Sequence, residues 1–194
     1  MADKKTFCRA LKHYLLSQFV YTDGLACRMC YAAIQEERLD RLWTIDQELF
    51  AFSGARETRE GNKRMGRQLV KVMTELYPKN PLLKKYNEKI KQKERHGHSA
   101  LVFAMVLEGQ KVDLETTLSC YVFATASSLT QNAVRGIPLG QTDGQRILRE
   151  LEPFFQDLVK KVLKQSEECF GACAPGLEIA QMKHEDLSVR LFSS

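Results

Sequence analysis

Three glycines, Gly136, Gly140 and Gly144, punctuate the stretch RGIPLGQTDGQRIL at 135–148, a pattern that invites comparison with phosphate-binding loops. A Walker A loop follows a strand and reads G-x-x-x-x-G-K-[ST], because its lysine neutralises phosphate charge and its hydroxyl holds magnesium. This stretch has neither the lysine nor the strand, and its glycine intervals also miss the G-x-G-x-x-G dinucleotide fingerprint. A helix start accounts for it better. Pro138 and Gly140 end the incoming chain, and Thr142 with Gln145 has the spacing of a capping box. Asp143 falls in the first turn, where its charge suits the helix dipole and would repel a phosphate.

The other reactive side chains are thiols and imidazoles. Cys27-x-x-Cys30 and Cys169-x-x-x-Cys173 could together offer four thiolates, and His96-x-His98 adds two rings. A structural zinc site presents its first cysteine pair on a knuckle turn. Cys27 and Cys30 instead sit in a helical pattern beside Leu25 and Ile34, which predicts thiols packed in a core. His96 and His98 flank Gly97 ahead of an apolar helix, where hydrogen bonding to nearby backbone is the expected role, with a transient metal contact as the alternative. No G-x-S-x-G or similar nucleophile signature is present. His184 precedes Glu185 and Asp186, which point elsewhere on a helix, so it reads as a surface or capping residue.

The elements that must position these residues are helices. Apolar spacings of three and four recur from end to end, and strand-like alternation is nearly absent. Residues 4–36 read as one long helix or two, with Thr22–Gly24 between the patterns. Helices follow at about 37–52, at 55–77 ahead of Pro78, and at 81–94. An apolar helix opens after His98 and is closed by Gly109 as its expected C′ residue. DLETTLSCYVFATASSLTQNAV carries Leu118, Tyr121, Val122 and Leu129 on one stripe, with Ala124, Ala126, Ser127 and Ser128 suggesting close helix contact. From 142 to 165 the apolar face is the clearest in the chain, and Pro153 is expected to bend or restart that helix. A short helix near 177–187 leads to the tail at 188–194. The expectation is an all-α, single-domain bundle of about seven to nine helices over residues 1–194.

Length and charge bound the function. The 194 residues, 44% of them hydrophobic, can bury a sizeable core. A formal charge of +5 from 29 basic and 24 acidic residues favours acidic partners only weakly. The basic run at 84–98 contains Glu88 and Glu94 and reads as a solvated helix face rather than a nucleic-acid surface. The N-terminus lacks the apolar core of a signal peptide, and no run approaches the ~18 apolar residues of a membrane span. Six cysteines within helical patterns fit reduced thiols. The expectation is a soluble cytoplasmic protein.

Three stretches carry a resemblance. GARETREGNKRMGRQL at 54–69, GHSALVFAMVLEGQ through PLGQTDGQRIL at 97–148, and PGLEIAQMKHEDLSVRLFSS at 175–194 resemble the UreF family of urease accessory proteins. The PLGQTDGQ loop and the terminal H-E-x-x-x-x-R-L-F-x-S pattern are the most specific pieces. The family's P-x-G-x-[FY]-x-x-S-x-G-L-E segment has no counterpart ahead of TFCRALKHYLLSQF, so the resemblance implies a domain shortened at its N-terminus. It further implies an all-α homodimer without catalytic residues or a cofactor of its own. Such proteins bridge a UreD-type (UreH-type) scaffold and the UreG GTPase in delivering nickel to apo-urease. Carried onto this chain, Arg135, Gln141, Asp143 and Gln145 would meet the GTPase. His184, Glu185, Arg190, Leu191 and Phe192 would engage the UreD-type partner. The reading outside this family is a helical metal-binding protein using Cys27, Cys30, Cys169, Cys173 and the histidine pair.

Overall fold

Lys4 to Gln35 form one helical rod in three consecutive segments: α1 (Lys4–Tyr14), a π-helical stretch (Leu15–Gly24) and α2 (Leu25–Gln35). This comes from a computed structural model, which describes residues 3–184. The backbone stays helical at both junctions, with φ −62° and ψ −39° at Leu15 and φ −64° and ψ −48° at Gly24. The choice between one helix and two is thereby settled as one. Thr22 donates its hydroxyl hydrogen towards the Gln18 carbonyl at 2.9 Å, a side-chain bond of the kind that accompanies an altered helical turn.

The remaining elements are α3 (Leu39–Phe52), α4 (Arg56–Leu76), α5 (Pro81–Lys91), α6 (Ser99–Gly109), α7 (Leu114–Gly136), α8 (Gln141–Lys164), a 3-10 turn (Glu167–Cys169) and α9 (Pro175–His184). No strand occurs among the described residues, so the all-α expectation holds. At the centre α2 packs on α6 and α3, α4 covers α5 and α6, and α7 lies along α8. The composition of α6, SALVFAMVLEG, explains its place. Ala100, Leu101, Val102, Ala104, Met105 and Val106 are all buried, and a helix apolar nearly all round must be enclosed by others. By contrast α8 buries one stripe, including Ile147, Leu148, Leu151, Phe155 and Leu158, and turns Arg149 and Glu150 to water.

One expectation at a helix end is corrected, and at Pro153 the restart is excluded. Gly109 is the last residue of α6, and the left-handed residue that follows is Lys111, at φ 61°. The glycine serves packing instead: a Cβ at Gly109 would lie 2.7 Å from Asn80 Nδ2, which donates to the Met105 carbonyl at 2.8 Å. The same Asn80 caps α5, its Oδ1 accepting from Leu82 N and Leu83 N at 3.1 Å, with Pro81 at the first helical position. Pro153 lies within α8 and does not restart it. The residue whose carbonyl loses a helical donor, Arg149, faces solvent, while the buried stripe on either side holds the helix together.

One buried carboxylate ties α3, α5 and the start of α6. Asp46 is fully buried and accepts three hydrogen bonds: from Tyr86 Oη at 2.5 Å, His96 N at 2.8 Å and Gly97 N at 3.1 Å. Tyr86 Oη in turn accepts from His98 N at 2.9 Å. Burial first and Asp46 second push the Tyr86 phenol pKa well above its ordinary value, so it stays a donor. Gly97 adopts φ 93°, and its carbonyl presses on α4 where only glycine fits, because a Cβ at Gly66 would lie 2.5 Å from Gly97 O. Asp46→Ala leaves three donors without their acceptor, and is expected to lower stability by about 3 kcal/mol or more. Gly66→Ala is expected to cost about 1–3 kcal/mol through displacement of that backbone. Urea denaturation of both variants checks this, and wild-type midpoints would refute the assignment.

Candidate protein-interaction surface

The α7–α8 turn is built around its apolar residues. Leu139 is 6% exposed and Ile137 packs against the core, so the turn is pinned from beneath. Ile137 N donates to Ala133 O at 2.9 Å, and Leu139 N donates to Ile137 O at 2.7 Å across Pro138. Gly140 occupies the N-cap position with extended backbone, and α8 starts at Gln141. The expected capping box is therefore absent. Thr142 lies within the first turn rather than at the cap, and the actual cap, Gly140, has no side chain to accept from the first turn. Asp143 is in the first turn as expected, paired with Arg146 at 3.2 Å.

Gly144 has a packing role that the spacing of the glycines does not reveal. A Cβ there would approach Val134 Cγ2 to 3.1 Å and Thr130 Cγ2 to 3.2 Å, so the glycine allows α8 to close on α7. Around this rigid corner, Arg135, Gln141 and Gln145 are exposed. None of the three side chains has a hydrogen-bond or ionic partner among the described residues. Arg135 lies in the last turn of α7, and Gln141, Asp143 and Gln145 lie at the start of α8, so the four predicted contact residues stand on either side of one anchored turn.

The C-terminal candidates are only partly described. His184, at the end of α9, is exposed and its Nδ1 lies 3.0 Å from Glu57 Oε2 on α4. Glu185, Arg190, Leu191 and Phe192 lie outside the described residues. His184 lines a cleft with Gln181, Met65 and Asn132. Asn132 is one helical turn before Arg135, so α9 ends at the same end of α7 as the α7–α8 turn.

The thiols and imidazoles take structural places. Cys27 and Cys30 are fully buried on α2, and burial pushes both thiol pKa values strongly upward, with Asp23 adding to the effect at Cys27 and Cys27 itself at Cys30. A protonated thiol is a poor metal ligand. Cys169 falls in the 3-10 turn and Cys173 is exposed. Among the described residues no three His, Cys, Asp or Glu side chains converge as a metal site, and the metal-binding reading finds no support. His96 stacks on Phe50, with ring centroids 3.6 Å apart and planes at 3°. Burial, with help from Lys63, Arg67 and Arg95, depresses its pKa against the opposing pull of Asp46. His98 caps α6, its Nδ1 accepting from Ala100 N at 3.2 Å, the backbone role expected of it.

The sequence model of the UreF family matches residues 1–152. The chain belongs to the UreF family. It is 47% identical to the urease accessory protein UreF of Bacillus sp. (strain TB-90) over 194 residues, which cover 100% of this chain and 85% of that protein. It is 43% identical to the protein of the same name from Geobacillus kaustophilus over 196 residues, covering 100% and 84%. With that from Lachnoclostridium phytofermentans the identity is 40% over 192 residues, covering 99% and 84%. Within this UreF-family chain no described helix is long and apolar enough to cross a membrane.

Two substitutions distinguish packing from capping at the turn. Thr142→Ala is expected to change stability by less than about 0.5 kcal/mol, as at an ordinary surface site, where loss of a true capping box would cost about 1 kcal/mol. Gly144→Leu is expected to cost about 1–3 kcal/mol by forcing α7 and α8 apart. Thermal melts monitored by circular dichroism read both, and the reverse order of effects would restore the capping box.

Proposed function

We propose that this chain is a non-enzymatic urease maturation factor that bridges a UreD-type (UreH-type) scaffold and the UreG-type GTPase during GTP-dependent nickel insertion into apo-urease. Family membership supports the maturation role. The observation that carries the bridging role is the anchored α7–α8 turn, with Arg135, Gln141 and Gln145 exposed and unpartnered beside Asp143. A backbone already fixed at a rigid corner loses little conformational freedom on binding, and the planar fork of Arg135 suits a carboxylate on the GTPase. The phosphate-binding loop belongs to that partner, which accounts for the absence of one in RGIPLGQTDGQRIL.

The second contact is assigned to the C-terminal segment, with His184 at its described edge and Glu185, Arg190, Leu191 and Phe192 beyond it. A homodimer in the cytoplasm completes the reading. Met65, Leu69, Val72 and Leu76 recur at four, three and four residues on α4, and Met65, Val72 and Leu76 are 58%, 37% and 64% exposed, a self-complementary seam for a second copy.

Co-purification with both partners tests the scheme, alongside light scattering of the chain alone, where the mass of one copy would refute the dimer. Arg135→Ala combined with Gln141→Ala is expected to leave the thermal melt within about 2 °C of wild type, since neither side chain is buried, yet to weaken GTPase recruitment at least about tenfold. Recruitment at the wild-type level would remove the turn from the interface. Deleting residues 188–194 is expected to impair capture of the UreD-type partner, and a deletion variant that still forms the whole complex would make the tail purely structural.

A further inference from the structure

A cleft runs inward from the surface between α4 and α7, floored by the start of α6 and flanked by α9. Its inner part has a volume of about 340 Å³. At the bottom lies Asp23, which the π-helical segment presents inward. Asp23 Oδ1 accepts from Tyr121 Oη at 3.0 Å, and Oδ2 lies 2.9 Å from the Thr22 hydroxyl oxygen. The side chain retains 22% exposure, towards the cleft.

The charge here is one-sided. Asp23 lines the inner cleft and Glu178 an adjoining recess, and among the described residues no lysine or arginine lines either, Arg64 standing only at the outer part between α4 and α7. The nearest candidate cation is His98, whose Nε2 lies 3.9 Å from Asp23 Oδ1. Its Nδ1 already accepts from Ala100 N, which assigns the proton of the neutral ring to Nε2. His98 therefore presents an N–H to the cleft, and offers no lone pair to a metal ion. The negative field is felt by its neighbours: Tyr14, Cys27 and Tyr121 all have pKa values raised by burial first and by Asp23 second.

The rest of the lining suits a long side chain with a planar cationic head. Phe103 and Tyr121 stand together, with ring centroids 4.6 Å apart, beside the carboxylate. Ala124, Thr125 and Ser128 on α7 are small and let a backbone approach closely. Leu129 offers apolar contact to a methylene stem. A guanidinium can stack on the partly exposed Phe103 while pairing with the carboxylate, which a compact ammonium does less well.

We infer that this cleft is a docking site for a partner-protein segment that inserts one arginine side chain onto Asp23. The inference rests on the bridging role proposed above and supplies a contact distinct from the α7–α8 turn. Ser128 is exposed, so Ser128→Trp fills the cleft without disturbing the core, and Asp23→Asn removes its charge while keeping an acceptor for Tyr121.

Calorimetric titration with the purified UreD-type and UreG-type partners, using wild type and both variants, is the test. Each variant is expected to bind the same one partner at least about tenfold more weakly, with an unchanged circular dichroism spectrum. One arginine of that partner should then couple to Asp23 in a double-mutant cycle. Wild-type affinities for both partners in both variants would overturn the cleft proposal while leaving the maturation role standing. If the wild-type chain bound neither partner, the maturation reading would fail, and the cleft would be judged directly by NMR titration with acetyl-arginine amide against acetyl-citrulline amide. Shifts at Phe103 and Tyr121 with arginine alone support the cleft, and equal responses overturn it. Stoichiometric nickel or zinc uptake that is lost in Asp23→Asn would also overturn it, in favour of a metal site.

Discussion

A carboxylate with no access to water cannot be left without donors, and Asp46 is the position around which this bundle resolves that constraint. An unpaired charge at such a site would cost several kcal/mol, about the size of a domain's whole net stability. Its three donors come from α5 and from the segment that enters α6, so the geometry of that segment is fixed by α3. The left-handed turn at Gly97 and the absence of a side chain at Gly66 are consequences, since the segment must pass tightly against α4 to reach the carboxylate.

From this fixed point the interior of the bundle is set. His98 emerges with its ring committed to capping α6, and that commitment places an N–H, rather than a lone pair, opposite Asp23. Two aspartates thus divide the work. Asp46 is sealed and satisfied by neutral donors, and holds the frame. Asp23 faces a cleft, and among the described residues no lysine or arginine pairs with it. Meanwhile the α7–α8 turn gains its rigidity independently, from Leu139 beneath it and from the close approach that Gly144 permits.

Much of this was legible in the chain. The periodicity of α6 and α8 announced which would be enclosed and which would lie at the surface, and the burial of Cys27 and Cys30 followed from their place beside Leu25 and Ile34. Helix ends were less legible where two local rules competed. Thr142 and Gln145 have the capping-box spacing, but Gly140 takes the cap because α8 begins directly after the pinned Leu139. Gly109 looked like a terminator and is a packing residue, because its contact, Asn80, is 29 positions away in sequence. Asp23 gave no signal beyond an acid inside an apolar helical pattern.

The sequence by itself determined the helical class, the approximate order and length of the helices, the absence of a phosphate loop and the family. These follow from local spacing, composition and motif, which act over a few residues or are matched along the chain. Only the tertiary structure decided that Asp46 gathers its donors, that His98 offers its proton rather than its lone pair, and that Asp23 meets no lysine or arginine among the described residues. Those outcomes depend on which groups from distant helices meet at hydrogen-bond distance, and periodicity places a residue on a face without saying what lies opposite it.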